Sequence, residues 1–301
     1  MSIEGNVSGI VIPSAAEVAR GAAAVELPVL RIDAPRGWQL VNVRELWKFR
    51  ELCWFLVWRD VKVRYKQTAL GVAWAVLQPA MMMVVFTVFF GRLAGLSSGG
   101  FPYPVFVYVG LLPWMFFAAA VTGGGNSVVG SERLITKIYF PRLAIPFAAV
   151  GAAAVDFAVA FGLLAVLMAY YQIAPTLQML MAAPIFGVIL LTAAGVGTAL
   201  AALNVAYRDF RYVMPFMVQV WMFATPTVYM QPGTGKAADG LLQTLLVLNP
   251  MTGLIGGFRA ACLGGPMPWG QLAMSAAFGV LAFVGGCLFF RRQERNFADV
   301  I

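Results

Sequence analysis

WRDVKVRYKQTALGVAWAVLQP, residues 58–79, changes character halfway along. Five of its first nine residues are charged (Arg59, Asp60, Lys62, Arg64 and Lys66), and after them no charge occurs before Arg92. An uncharged apolar run of about 20 residues is what a helix needs to cross a bilayer. The stretch is therefore a junction, with a basic collar in front of a membrane span.

Upstream, Arg44, Lys48, Glu51, Phe55, Arg59, Lys62 and Lys66 recur in steps of three and four, which places them on one helical face. Leu46, Phe49, Cys53 and Val57 lie opposite, with Trp47, Trp54 and Trp58 at the margins. A basic amphipathic helix with marginal tryptophans lies in the plane of the membrane interface. The period-two pattern of VKVRYK also fits a strand, but its junction with a spanning segment favours a helix. The collar has two readings: a topology signal held by anionic lipid, or a site at Arg59, Lys62, Arg64 and Lys66 for an anionic lipid headgroup.

The rest of the chain agrees with a membrane setting. Its 301 residues are 61% hydrophobic and 11% charged, against about half and a quarter in soluble domains. The formal charge of +8 reads as membrane-surface charge, and no nucleic acid partner is expected. No histidine occurs, which excludes imidazole metal sites, histidine bases and histidine proton relays. Cys53, Cys262 and Cys287 have no metal-site spacing and read as packing residues, so no metal site is expected. Residues 1–43, interrupted by Pro13, Gly21, Pro28 and Pro35 and lacking a basic start, read as a cytoplasmic tail rather than a signal peptide.

Hydropathy predicts six spans, at about 69–91, 104–121, 144–170, 177–205, 213–229 and 271–290. Residues 241–265 are long enough for a seventh, but Asn249-Pro250, Gly256-Gly257 and Arg259 interrupt them. With six spans and both termini cytoplasmic, 18 of the 21 basic residues fall inside, whereas a seventh span would put RRQER outside. The segment is therefore expected to enter the outer leaflet and return as two short helices. The expected fold is all-α: an interface helix at 44–66, then a six-span domain over 67–301 with short re-entrant helices between its fifth and sixth spans.

A second stretch, GGGNSVVGSERLITKIYFPRLAIP at 123–146, reads as a helix end at Gly123–Gly125 followed by a short amphipathic helix capped by Asn126 or Ser127 and stopped by Pro141. Such a helix either lies on the membrane or enters a cleft on a partner.

Four stretches, RDVKVRYKQTALGVAWAVLQP, GLLPWMFFAAAVTGGGNSVVGSERLITKIYFPR, AALNVAYRDFRYVMPFMVQVWMF and LNPMTGLIGGFRAACLG, resemble the membrane subunit of ABC-2 type polysaccharide exporters over about residues 45–290. The resemblance implies a homodimer with two cytoplasmic ABC ATPase subunits, moving a lipid-linked polysaccharide across the bacterial inner membrane. O-antigen is the expected polymer, and teichoic acid or capsule the alternative. It also implies that the 127–138 helix docks on the ATPase, which points to Ser131, Glu132, Leu134, Ile135, Lys137 and Tyr139. The re-entrant pair would form an external gate, with Asn249, Pro250 and Arg259.

The chain carries no phosphate-cradling G-x-x-x-x-G-K-[ST] loop; GTGK at 233–236 has Met230 at the first glycine position and Ala237 at the hydroxyl position. It is expected to be no enzyme itself, with ATP and Mg bound by the partner. An ion-coupled transporter would need ionisable groups within its spans, and Asp156 alone qualifies. A membrane scaffold is the third class, disfavoured by the broken external segment. Asp156 calls for a partner in the bundle or contact with substrate. Phe86, Phe89, Trp114, Phe117, Trp221 and Tyr229 are candidate pore aromatics, because ring faces give sugars contact area with few directional bonds. Ordinary packing or interface belts explain such rings equally.

Overall fold

The computed structural model describes residues 47–66, 68, 70–135, 140–229, 249–294 and 297. The expected 1–43 tail, the start of the interface helix at 44–46 and the first half of the broken segment, 241–248, lie outside them. Among the described residues there is no strand.

Helix α1 spans Arg50–Tyr65, so VKVRYK is helical. It is separate from the first span: Gly71, at φ +51°, turns the chain, and Gly71 N–H donates to the Thr68 carbonyl at 3.2 Å. This corrects the expectation that the collar runs directly into the span. A positive φ is open to glycine at little cost, and hydropathy carries no trace of it. Helix α2 follows at Ala73–Phe86, passes through Pro79 and continues as a π-helical turn over Thr87–Leu93.

Helix α3, Tyr103–Ser127, is the hub: most of its residues are buried, whereas Ala73–Leu93 is largely exposed. Its Tyr108 hydroxyl donates to the Ala160 carbonyl of α5, Ala144–Tyr170, at 2.8 Å. The short α4 is Glu132–Ile135. A 3₁₀ turn at Leu177–Met181 leads into α6, Ala182–Ala206. Helix α7 is Phe210–Phe223, α8 is Pro250–Leu263 and α9 is Trp269–Gln293.

Small residues set the helix crossings. Gly124 of α3 faces Gly197 of α6, and Gly195 of α6 lies against the backbone of Ala282 and Phe283 in α9. Without a hydrophobic drive between helices in lipid, close backbone approach supplies the packing. Asn204 of α6 crosses to α3, its Nδ2 donating to the Gly125 carbonyl at 3.0 Å and to Asn126 Oδ1 at 3.1 Å. The glycines therefore do not end α3, and Asn126 and Ser127 do not cap a new helix. Ser127 Oγ donates back to the Gly124 carbonyl at 2.6 Å within the same helix. The reading of Gly123–Gly125 as a terminator is corrected by the helix that packs on them.

Among the described residues, five helices are long and apolar enough to span: Ala73–Leu93, Tyr103–Ser127, Ala144–Tyr170, Leu177–Ala206 and Trp269–Gln293. The expected fifth span, 213–229, is shorter than its hydropathy suggested. At 14 residues, α7 is roughly 21 Å long, against a hydrocarbon core of about 30 Å. It stops where Pro226 offers no N–H and Thr225 Oγ1 bonds back to the Trp221 carbonyl at 2.8 Å. Helix α8 is equally short and almost wholly buried, from Asn249, whose side chain accepts from Met251 N–H, to the left-handed Gly264.

Candidate functional site

Helix α1 docks on α5 through Leu56, which is buried, and Val57, which fills the space left by the missing side chain of Gly151. This packing brings the C-terminal turn of α1 to the one carboxylate in the apolar α5. Arg64 Nη1 and the Tyr65 hydroxyl both donate to Asp156, which thus has the bundle partner that a charge in an apolar helix requires. Burial, and then the hydrogen bond to Asp156, push the Tyr65 phenol up to about 12, so it remains a donor at physiological pH. The Arg64 side chain is 41% exposed and that of Asp156 22%. A pair this open contributes about 0–1 kcal/mol.

These three groups line a half-open cavity of about 650 Å³ bordered by α1, α2, α3, α5 and α7, a volume in the range of ligand sites. Its walls are apolar and aromatic, including Trp74, Met82, Trp114, Phe116, Phe157 and Met222, with Gln78 and Gln219 as further polar groups. Phe157 stacks on Phe186 at 3.9 Å between centroids, and Phe116 lies 4.8 Å from Phe186. The sequence pointed to neither Phe157 nor the two glutamines as site residues. The nearest signal was Asp156 beside Phe157.

Of the four collar cations, the cavity brings in Arg64 alone. Arg59 pairs with Asp60 at 2.8 Å, Lys62 Nζ sits 5.4 Å from the Trp58 ring centroid, and Lys66 is exposed. The aromatics also divide. Trp114 lines the cavity, while Phe117 and Trp221 pack edge-to-face at 5.2 Å. Phe86 is buried against Phe90, whereas Phe89 is 59% exposed. Tyr229 donates to the Phe223 carbonyl at 3.4 Å.

Around the coupling candidates, Val129–Ser131 form a 3₁₀ turn and Glu132 opens α4. Val129 and Glu132 are exposed, but Leu134 packs into the cluster that holds Leu56, Val128 and Phe140. The side chain of Ile135, and Lys137 and Tyr139, lie outside the described residues.

At the other end of α7, Asn249 is a four-way junction. Its Oδ1 accepts from Trp221 Nε1 at 3.0 Å and Met251 N–H at 3.1 Å. Its Nδ2 donates to the Ala224 carbonyl at 3.1 Å and Thr225 Oγ1 at 2.9 Å. Pro250, with no N–H to leave orphaned, starts α8 beside it. Arg259 Nη2 donates to the Thr227 carbonyl at 2.7 Å, and its guanidinium lies 4.0 Å over the Phe106 ring. Gly110 leaves room for it. Losing a cap costs about 1 kcal/mol and each of the part-buried hydrogen bonds to Trp221 and Thr225 about 0.5–1 kcal/mol. Asn249→Ala is therefore expected to destabilise the chain by roughly 2–3 kcal/mol. Asn249→Asp, which keeps the acceptor, is expected to lose about half as much; thermal unfolding in detergent measures both.

The sequence model described as ABC-2 type transporter matches residues 51–263, which include both ends of this arrangement. The chain belongs to the ABC-2 type transporter membrane family. It is 31% identical over 261 residues to the O-antigen export system permease protein RfbA of Myxococcus xanthus, covering 86% of this chain and 98% of the relative. It is 25% identical to a Klebsiella pneumoniae protein of the same name, covering 81% and 92%. It is 20% identical to the polysialic acid transport protein KpsM of Escherichia coli, covering 78% and 91%. As an ABC-2 chain with several apolar helices it is a multi-pass membrane protein.

Proposed function

We propose that this chain is the permease subunit of an ATP-driven exporter of lipid-linked polysaccharide, with O-antigen as the polymer. Two copies would line the path, and two ABC ATPase subunits would bind ATP and Mg in the cytoplasm. The chain would sit in the bacterial inner membrane with both termini cytoplasmic, α7 and its following turn serving as the fifth crossing. The observation that carries the reading is the cavity: an apolar and aromatic wall with the Arg64–Asp156 pair and Tyr65 on it, in a chain that covers 92–98% of proteins named as O-antigen export permeases. The largely exposed apolar surfaces of α2 and α7 support pairing of two copies. Arg59, Lys62 and Lys66 on the outside of α1 would attract anionic lipid.

Affinity purification of the tagged chain from its own membranes tests this directly. An ABC ATPase and a glycolipid should accompany it, whereas an ion-coupled transporter or a scaffold would bring down neither. Val129 and Glu132 are exposed at the proposed docking turn, and substituting both with Arg is expected to abolish ATPase recovery while membrane yield stays unchanged. Leu134→Asp is expected to lower yield as well, because Leu134 packs on its own bundle.

A further inference from the structure

The cavity is chemically lopsided. Its lining contains one cation, Arg64, and one anion, Asp156, bonded to each other, and almost everything else is apolar or aromatic. A carboxylate there gives two acceptor oxygens to a guanidinium and a phenol. Phosphate or diphosphate oxygens offer the same acceptors with more charge, and a guanidinium binds such groups in a bidentate fork. Gln78 and Gln219 on the lining supply further amide donors. The aromatic wall matches a hydrocarbon chain attached to that head. The pair is also the part of the α1–α5 contact most open to exchange, since Arg64 is 41% exposed while Leu56, about two turns earlier in the same contact, is 1% exposed.

We infer that Asp156 is a resident competitor for the anionic head of an amphipathic ligand: a polyprenyl-type diphosphate seats its chain along Trp114, Phe116 and Phe157, and its head displaces Asp156 from Arg64 and Tyr65, freeing the C-terminal turn of α1 from α5. This rests on the proposed function and deepens it, because the same exchange would report arrival of the lipid carrier to the interface helix. Leu56 and Val57 keep the rest of α1 in place, so the movement is confined to its last turns.

The test uses the chain purified with its ATPase in nanodiscs, with farnesyl diphosphate as probe and inorganic diphosphate and farnesol as head-only and tail-only controls. Quenching of Trp74 and Trp114, which line the cavity, reports binding, and a spin label on Val63→Cys in a Cys53→Ser background reports motion of α1. Farnesyl diphosphate is expected to bind at least tenfold more tightly than either control and to mobilise the label. Asp156→Asn should tighten binding about tenfold and leave the label mobile without ligand. Arg64→Gln should weaken binding about tenfold, and Arg64→Lys by less. Unchanged affinity in Asp156→Asn would overturn the exchange. Equal binding of inorganic diphosphate would assign the site to free anions, and equal binding of farnesol would remove Arg64 from recognition; either overturns the inference. ATPase co-purification and surface polysaccharide, measured on the same variants, report on the proposed function separately: both can persist while the exchange fails.

Discussion

Arg259→Leu is expected to leave the chain expressed but largely unable to accumulate in folded form. Arg259 holds the turn after α7 by the Thr227 and Pro226 carbonyls and sits over the Phe106 ring. Without it, two carbonyls in a dry setting lose their donor at about 1–3 kcal/mol each, and a cation–π contact of about 0.5–2 kcal/mol disappears. A branched aliphatic side chain does not fill the flat space beside Gly110, where even a Cβ would collide with the guanidinium and the Thr227 carbonyl. Relief from burying a charge offsets part of this loss, but orphaned acceptors and an ill-filled gap outweigh it, for a net cost of roughly 3 kcal/mol or more. Arg259→Lys keeps the charge but not the planar fork, and should fall between. Size-exclusion profiles and thermal midpoints in detergent check the order wild type, Lys, Leu; a Leu variant as stable as wild type would show that Arg259 is no brace.

Gly195→Leu is expected to be as damaging for a different reason. A Cβ at Gly195 would fall on the backbone of Ala282 and Phe283, and one at Gly286 on the Gly195 carbonyl. Backbone cannot rotate out of the way, so α6 and α9 must separate and give up contacts along their crossing. Overpacking typically costs about 1–3 kcal/mol where side chains can adjust, and this site lies at or above the upper end. Gly187→Leu, on the same helix with nothing within 4 Å of the added Cβ, is the matched control. It should leave the thermal midpoint unchanged while Gly195→Leu lowers it by many degrees.

What the sequence disclosed, and what it hid, follows from the range of each signal. Apolar run length reports immersion in lipid, so the helices at 73–93, 103–127, 144–170, 177–206 and 269–293 were legible within a few residues. It does not report where backbones touch. Gly123–Gly125 looks like a terminator along the chain and is a crossing surface in space, because the helix that packs there begins 57 residues after Gly125, at Ala182. Gly71 was hidden for a related reason: a single residue of positive φ inside an apolar run leaves hydropathy untouched.

The charged pair in the cavity was half legible. Asp156 in an apolar helix demands a partner, but Arg64 and Tyr65 lie 92 and 91 residues away in another helix, beyond any periodicity. Aromatic rings were the least readable, since Phe89 facing outward and Phe157 stacked on Phe186 have the same composition signature. Leu134 shows the converse hazard: it belongs to the apolar side of a short amphipathic helix, and that side is already covered by its own bundle.

The most direct measurement of the account is where lipid-linked polysaccharide accumulates in cells that lack this chain. Removing the chain should abolish surface polysaccharide and leave the lipid-linked polymer on the cytoplasmic leaflet, accessible only after the inner membrane is permeabilised. The wild-type gene should restore the surface polymer only when its ABC ATPase retains catalytic activity. Surface polysaccharide at the normal level in the deleted strain, or its restoration with an inactive ATPase, would contradict the proposal that this chain is the permease of an ATP-driven polysaccharide exporter.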